Sequence, residues 1–101
     1  MIKYDKIIIV KSDRDKKFKA ILTNADKKKK TIHFGAKGMS DYTINKDPKR
    51  KARYLARHDD KKTGEDWSNP ATAGALSRWI LWNKPTYNAS LIDFKKRFKL
   101  K

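Results

Sequence analysis

The feature that most constrains this chain is a change of hydrophobic period about a third of the way along it. From Tyr4 to about Phe34 the pattern favours strands: Ile7-Ile8-Ile9-Val10 is β-branched, and Phe18 to Thr23 and Thr31 to Phe34 follow it. Ser12-Asp13-Arg14-Asp15 and Asn24-Ala25-Asp26-Lys27 separate these runs. Such residues hydrogen-bond their own backbone and tolerate tight turns, so the segment reads as a three-stranded antiparallel meander. The lysine run Lys27 to Lys30 then falls at the second turn. Gly35 to Tyr42 reads as a loop in which Gly35 and Gly38 are free to take positive φ.

Beyond that loop the signals are helical. Asp47-Pro48 is a helix start, because Asp accepts orphan amide hydrogen bonds and Pro is preset for the first helical position, and the helix is expected over Pro48 to His58. At 100° per residue, Lys49, Arg50, Arg53 and Arg57 fall within a sector of roughly 100°, a basic stripe with Ala52 and Leu55 pointing the other way. Asp59 to Asn69 reads as a loop, and Pro70 is expected to begin a second helix ending near Trp82. Ala73, Leu76 and Ile80 share one of its faces and Ala75, Trp79 and Trp82 another, which describes a helix largely enclosed by protein. Asn83-Lys84-Pro85 stops it, with Asn83 suited to a left-handed C-terminal position. A third helix is expected after Ser90, turning Leu91, Phe94 and Phe98 inward and Lys95, Lys96, Arg97 and Lys99 to solvent. The expected architecture is one α+β domain over residues 1–101, a small N-terminal sheet followed by about three helices.

Charge narrows the choice of partner. Twenty-seven Lys and Arg against eleven Asp and Glu leave +16 on 101 residues, which repels itself in the compact state and calls for a negative neighbour. Nucleic acid meets that need most directly, since neutralising its phosphates releases condensed counterions. Acidic membrane surfaces and acidic proteins are the other candidates. There is no cysteine, which excludes disulfides, thiolate nucleophiles and cysteine-ligated metals. The apolar run Ile7 to Val10 is too short for a signal h-region or a membrane span.

Few residues point to chemistry. Trp67, Trp79 and Trp82 could stack on bases, but Trp79 and Trp82 sit in an apolar helix and read as core, leaving Trp67 for a surface role. Arg78 is the long cation on that helix, placed to satisfy a buried carbonyl, to form an ion pair or to touch a partner. His33 lies among strand residues and His58 near a helix C-terminus, and neither has metal ligands at a usual spacing. Asp59, Asp60, Glu65 and Asp66 would serve a divalent cation in a nuclease, but Lys61 and Lys62 interrupt them and a salt-bridged loop fits better. With no phosphate-binding glycine loop, catalytic triad or spaced carboxylate pair, the expectation is a non-enzymatic protein with no cofactor, metal or small-molecule substrate.

Three blocks carry a resemblance: Thr31-Ile32-His33-Phe34-Gly35-Ala36 with Gly38 and Ser40 to Thr43; Arg53-Tyr54 with Arg57-His58; and Thr72-Ala73-Gly74 with Ser77-Arg78-Trp79 and Leu81 to Thr86. Together they resemble a family of small basic proteins of unassigned function encoded by large nucleocytoplasmic DNA viruses, such as those of algae and amoebae. The resemblance spans roughly Thr31 to Phe98 and matches the N-terminal strands poorly. It brings no catalytic residues. It implies a virion protein, present in host cytoplasm or nucleus during assembly. The expected role is phosphate binding to the packaged genome without sequence specificity, through Lys49, Arg50, Arg53, Arg57, Lys95, Lys96, Arg97 and Lys99, with Trp67 and Arg78 as partner contacts. The alternative is a minor capsid protein that bridges larger capsid subunits on the inner face of an icosahedral shell.

Overall fold

The computed structural model describes residues 3–101, with the side chains of Asp60 and Lys62 outside that description. Three antiparallel strands, β1 (Tyr4–Lys11), β2 (Lys16–Asn24) and β3 (Lys29–Ala36), pair in chain order with β2 in the centre. Ile7 lies opposite Leu22, and Phe18 opposite Phe34. Because side chains alternate across a strand, this register gathers Ile7, Ala20, Leu22 and Phe34 on one buried face and leaves Ile8 and Val10 exposed on the other. Both turns use the expected chemistry. Ser12 Oγ accepts from the Arg14 amide, and Asn24 Oδ1 accepts from the amides of Asp26 and Lys28, with Lys27 in the left-handed region.

Helices complete the α+β architecture: α1 (Tyr42–Asn45), α2 (Pro48–Arg57), α3 (Asp60–Thr63), α4 (Ala73–Leu76), which widens into a π-helical segment (Ser77–Leu81), and α5 (Tyr87–Arg97). The cap at α2 is the expected one, with Asp47 Oδ1 accepting from the Lys49 amide and Pro48 inside the first turn. Four boundaries differ from expectation. β3 runs on to Ala36 and α1 follows, capped by Asp41, where a loop was expected through Tyr42. α3 interrupts the loop expected from Asp59 to Asn69. Pro70 does not begin a helix, because Asn69 Oδ1 takes the Ala71 amide in a turn and Thr72 supplies the cap for α4. α5 begins at Tyr87 behind a Thr86 cap, so Ser90 is a buried member of its first turns, bonded to the backbone of Lys84.

Two ends are tied down by backbone geometry. Lys99 is left-handed and the Leu100 amide donates to Lys95 O, a Schellman closure that buries Leu100. The Lys101 amide then donates to Asp5 O while its carbonyl accepts from the Ile7 amide, so the last residue covers part of the outer edge of β1. Asn83 is absent from the left-handed residues, contrary to expectation; its buried side chain donates to Asp93 Oδ2 and its carbonyl accepts from Lys51 Nζ, which joins α2 to α5. No helix among the described residues is long and apolar enough to cross a membrane.

Candidate polyanion surface and adjoining cleft

Which side of α2 meets solvent follows from which residues it needs to bury. Tyr54 is the buried member, 7% exposed, and Lys51, Leu55 and His58 lie beside it at helical spacing, half-buried. Lys51 turns inward, its ammonium 2.7 Å from Asn83 O and 5.0 Å above the Tyr42 ring. Burial, then the charges of Arg78 and Lys84, lower its pKa. Lys49, Arg50, Arg53 and Arg57 are all exposed on the remaining face, as the stripe predicted. Ala52, expected to point away from the stripe, is exposed as well, since Tyr54 and Lys51 take the inner side.

The ion pairs among the described residues are Lys17–Asp41, Lys19–Asp13, His58–Glu65 and Arg97–Asp93. None of the four cations of the α2 row takes part in them. At the C-terminus Lys96 and Lys99 are exposed and Lys95 is half-buried. Arg97 is more committed than the expectation of a free cation allows, with its guanidinium 3.8 Å over the Trp79 ring and 3.5 Å from Asp93 Oδ2. Burial pulls the Asp93 carboxyl up, but the Asn83 amide and the charges of Arg97 and Lys84 outweigh it and hold the group below its usual range.

Arg78 and Trp67 face inward rather than outward. Arg78 donates to Trp82 O at 3.1 Å and lies 4.1 Å from the centroid of Trp79, the same ring that Arg97 approaches at 3.8 Å. Satisfying a buried carbonyl is thus the role Arg78 fills. The Trp67 carbonyl accepts from Trp79 Nε1 and its ring lies 5.4 Å from Arg78, which makes it part of this stack instead of a free surface platform. Trp82 is buried, as expected for a core residue.

The carboxylates of the acidic loop serve local structure. Glu65 accepts from Thr63 Oγ1 and from His58 Nδ1, Asp66 from the Ser68 amide and Asp59 from the Lys61 amide, while the side chain of Asp60 lies outside the described residues.

Between the end of β3, the C-terminal turn of α2 and α4 lies a cleft of about 310 Å³ that sequence reasoning missed. Its lining includes Lys16, His33, Tyr54, Arg57, His58 and Ser77. The Tyr54 ring is the middle of a stack, 4.5 Å from Trp82 at 6° and 4.4 Å from His58 at 23°. Burial, reinforced by Glu65, pushes the Tyr54 phenol up to about 12. Both carboxylates on the lining are already matched: Asp41, 2% exposed, by Lys17 at 2.6 Å, and Glu65 by His58 at 3.3 Å. A signal for this cleft was present, since each of the three sequence blocks contributes to its lining: His33 to Ala36, Tyr54 with Arg57 and His58, and Ala73 with Ser77. They meet only because the chain folds β3 against α4.

A family model matches residues 7–58, from β1 through the basic row of α2, and so includes the N-terminal strands. No curated protein and no solved structure matches this chain.

Proposed function

Because this chain belongs to a family of unknown function, DUF5754, we propose a role from its own surface: a non-enzymatic virion protein that binds nucleic acid phosphates without sequence specificity. The observation that carries the reading is the row Lys49, Arg50, Arg53 and Arg57, exposed on one face of α2 and in no ion pair among the described residues. Folding leaves that charge uncompensated although exposed carboxylates such as Asp15 and Asp26 exist elsewhere on the chain. Cations repeated along a helix follow a phosphate backbone by charge and position it without reading bases. Lys96 and Lys99 on the exposed side of the C-terminus add to the same field, with Lys95 and Arg97 as partial contributors. The setting in a virion rests on the three-block resemblance.

The test is binding to two unrelated duplexes of equal length across a salt series. Equal affinities that fall steeply with salt are expected. No detectable binding at physiological salt, or binding indifferent to salt, refutes the reading and leaves acidic capsid surfaces as the partner to examine, by locating the chain in emptied shells.

A further inference from the structure

The row of cations on α2 ends in Arg57, and Arg57 is also on the lining of the cleft. That continuity ties a phosphate-following surface to a hollow of different chemistry. Inside it, Trp82, Tyr54 and His58 form a ladder of rings, and the two buried members leave His58 as the accessible end, with 43% of its side chain exposed. Tyr54 covers one face of the imidazole and Glu65 meets its edge at Nδ1, which leaves the far face as the one on which a further ring could stack. A planar group entering the cleft would extend the ladder by one step.

The charges of the cleft fit an anion attached to that planar group. Asp41 is paired with Lys17, and Glu65 is engaged by hydrogen bonds from His58 Nδ1 and Thr63 Oγ1, so neither carboxylate stands without a partner in the cleft. Lys16 and Arg57 are in no ion pair among the described residues. The volume, about 310 Å³, is at the lower end of the roughly 300–1,000 Å³ typical of small-ligand sites. An intact duplex keeps its bases in the stack and has no planar face to offer, whereas a single strand does.

Resting on the phosphate-binding reading above, we infer that this cleft receives one unstacked nucleotide of a single strand, its base laid on the far face of His58 and its phosphate held by Arg57 and Lys16. The protein therefore prefers single-stranded over duplex nucleic acid, and His58 is the residue responsible for the difference.

Fluorescence anisotropy with a labelled oligothymidylate and a labelled blunt duplex of the same length tests this on the full chain. His58→Ala is expected to weaken strand binding by about five-fold or more, the cost of losing one stacked base, and to leave duplex binding unchanged. His58→Ala and His58→Phe both lack the Glu65 contact, and only His58→Phe keeps a ring on Tyr54, so it is expected to bind the strand more tightly than His58→Ala, which separates a stacking surface from a folding defect. Adenosine 5′-monophosphate should compete only in large excess; competition at the concentration of the strand reassigns the cleft to free nucleotides and overturns the strand assignment. If His58→Ala changes neither probe, changes both equally, or is not rescued by His58→Phe, the cleft is not the site although the basic row stands. If the unaltered protein binds neither probe, the phosphate-binding reading itself has failed and this inference with it.

Discussion

Gly35 and Gly38 allow a controlled measurement of how tightly the π-helical segment is packed against the sheet beside the cleft. Both residues have the same unusual backbone, φ +84° and φ +82°. They differ in space. A Cβ on Gly35 would stand 2.9 Å from Leu81 Cδ1 and 3.2 Å from Lys17 Cβ, while one on Gly38 meets nothing within 4 Å. Leu81 is 3% exposed within the core, and Lys17 is held by Asp41, so neither neighbour can withdraw freely. A left-handed non-glycine residue costs about 1–2 kcal/mol, offset by about 0.4–1 kcal/mol from the stiffer unfolded chain. Gly38→Ala should therefore cost at most about 1.6 kcal/mol, whereas Gly35→Ala adds an overpacking penalty of about 1–3 kcal/mol. Urea unfolding followed by circular dichroism compares the two, with equal denaturant slopes required before the midpoints are converted. Equal losses for the two variants would refute the reasoning, because they would mean that β3 and the π-helical segment do not meet at Gly35 as described.

Three further outcomes follow from the same geometry. Replacing Lys49, Arg50, Arg53 and Arg57 together by alanine should reduce the salt slope of duplex binding by about 3.6, at about 0.9 for each lost phosphate contact; an unchanged slope places the contacts elsewhere. Tyr54 has its folded pKa raised, from 10.0 to about 12, so the stability it contributes is complete below pH 10 and is lost as pH rises toward 12. Tyr54→Phe should remove that part of the alkaline fall in melting temperature, and parallel pH profiles for the two proteins would count against the buried stack. Lys99 occupies the left-handed position of the Schellman closure, where glycine carries no Cβ penalty, so Lys99→Gly should raise stability by about 1 kcal/mol in thermal unfolding; a loss would mean the lysine side chain has a structural partner.

Signals that act over a few residues were legible in the linear chain. The β-branched runs, the Ser12 and Asn24 turns and the Asp47-Pro48 start each correspond to an observed feature, because strand alternation and capping depend on neighbours close in sequence. The basic row was legible for the same reason, since helical spacing alone places Lys49, Arg50, Arg53 and Arg57 together. Competing local signals explain the misplaced boundaries. At Pro70 and Ser90, threonines at 72 and 86 were the better caps, and in each case the threonine hydroxyl takes an amide three residues on.

What the linear chain determined, then, is the sheet, the capped start of α2 and the excess of positive charge, all properties of composition and short-range periodicity. Only the tertiary structure decided that Arg78 turns inward to Trp82 O, that Trp67 joins the Arg78 and Trp79 stack, and that Tyr54, His58 and Trp82 form one ladder at a cleft. Those choices join residues as far apart as Tyr54 and Trp82, and a stacked ring or a satisfied buried carbonyl has no period to read. Its energy depends on which distant surface folding brings within reach.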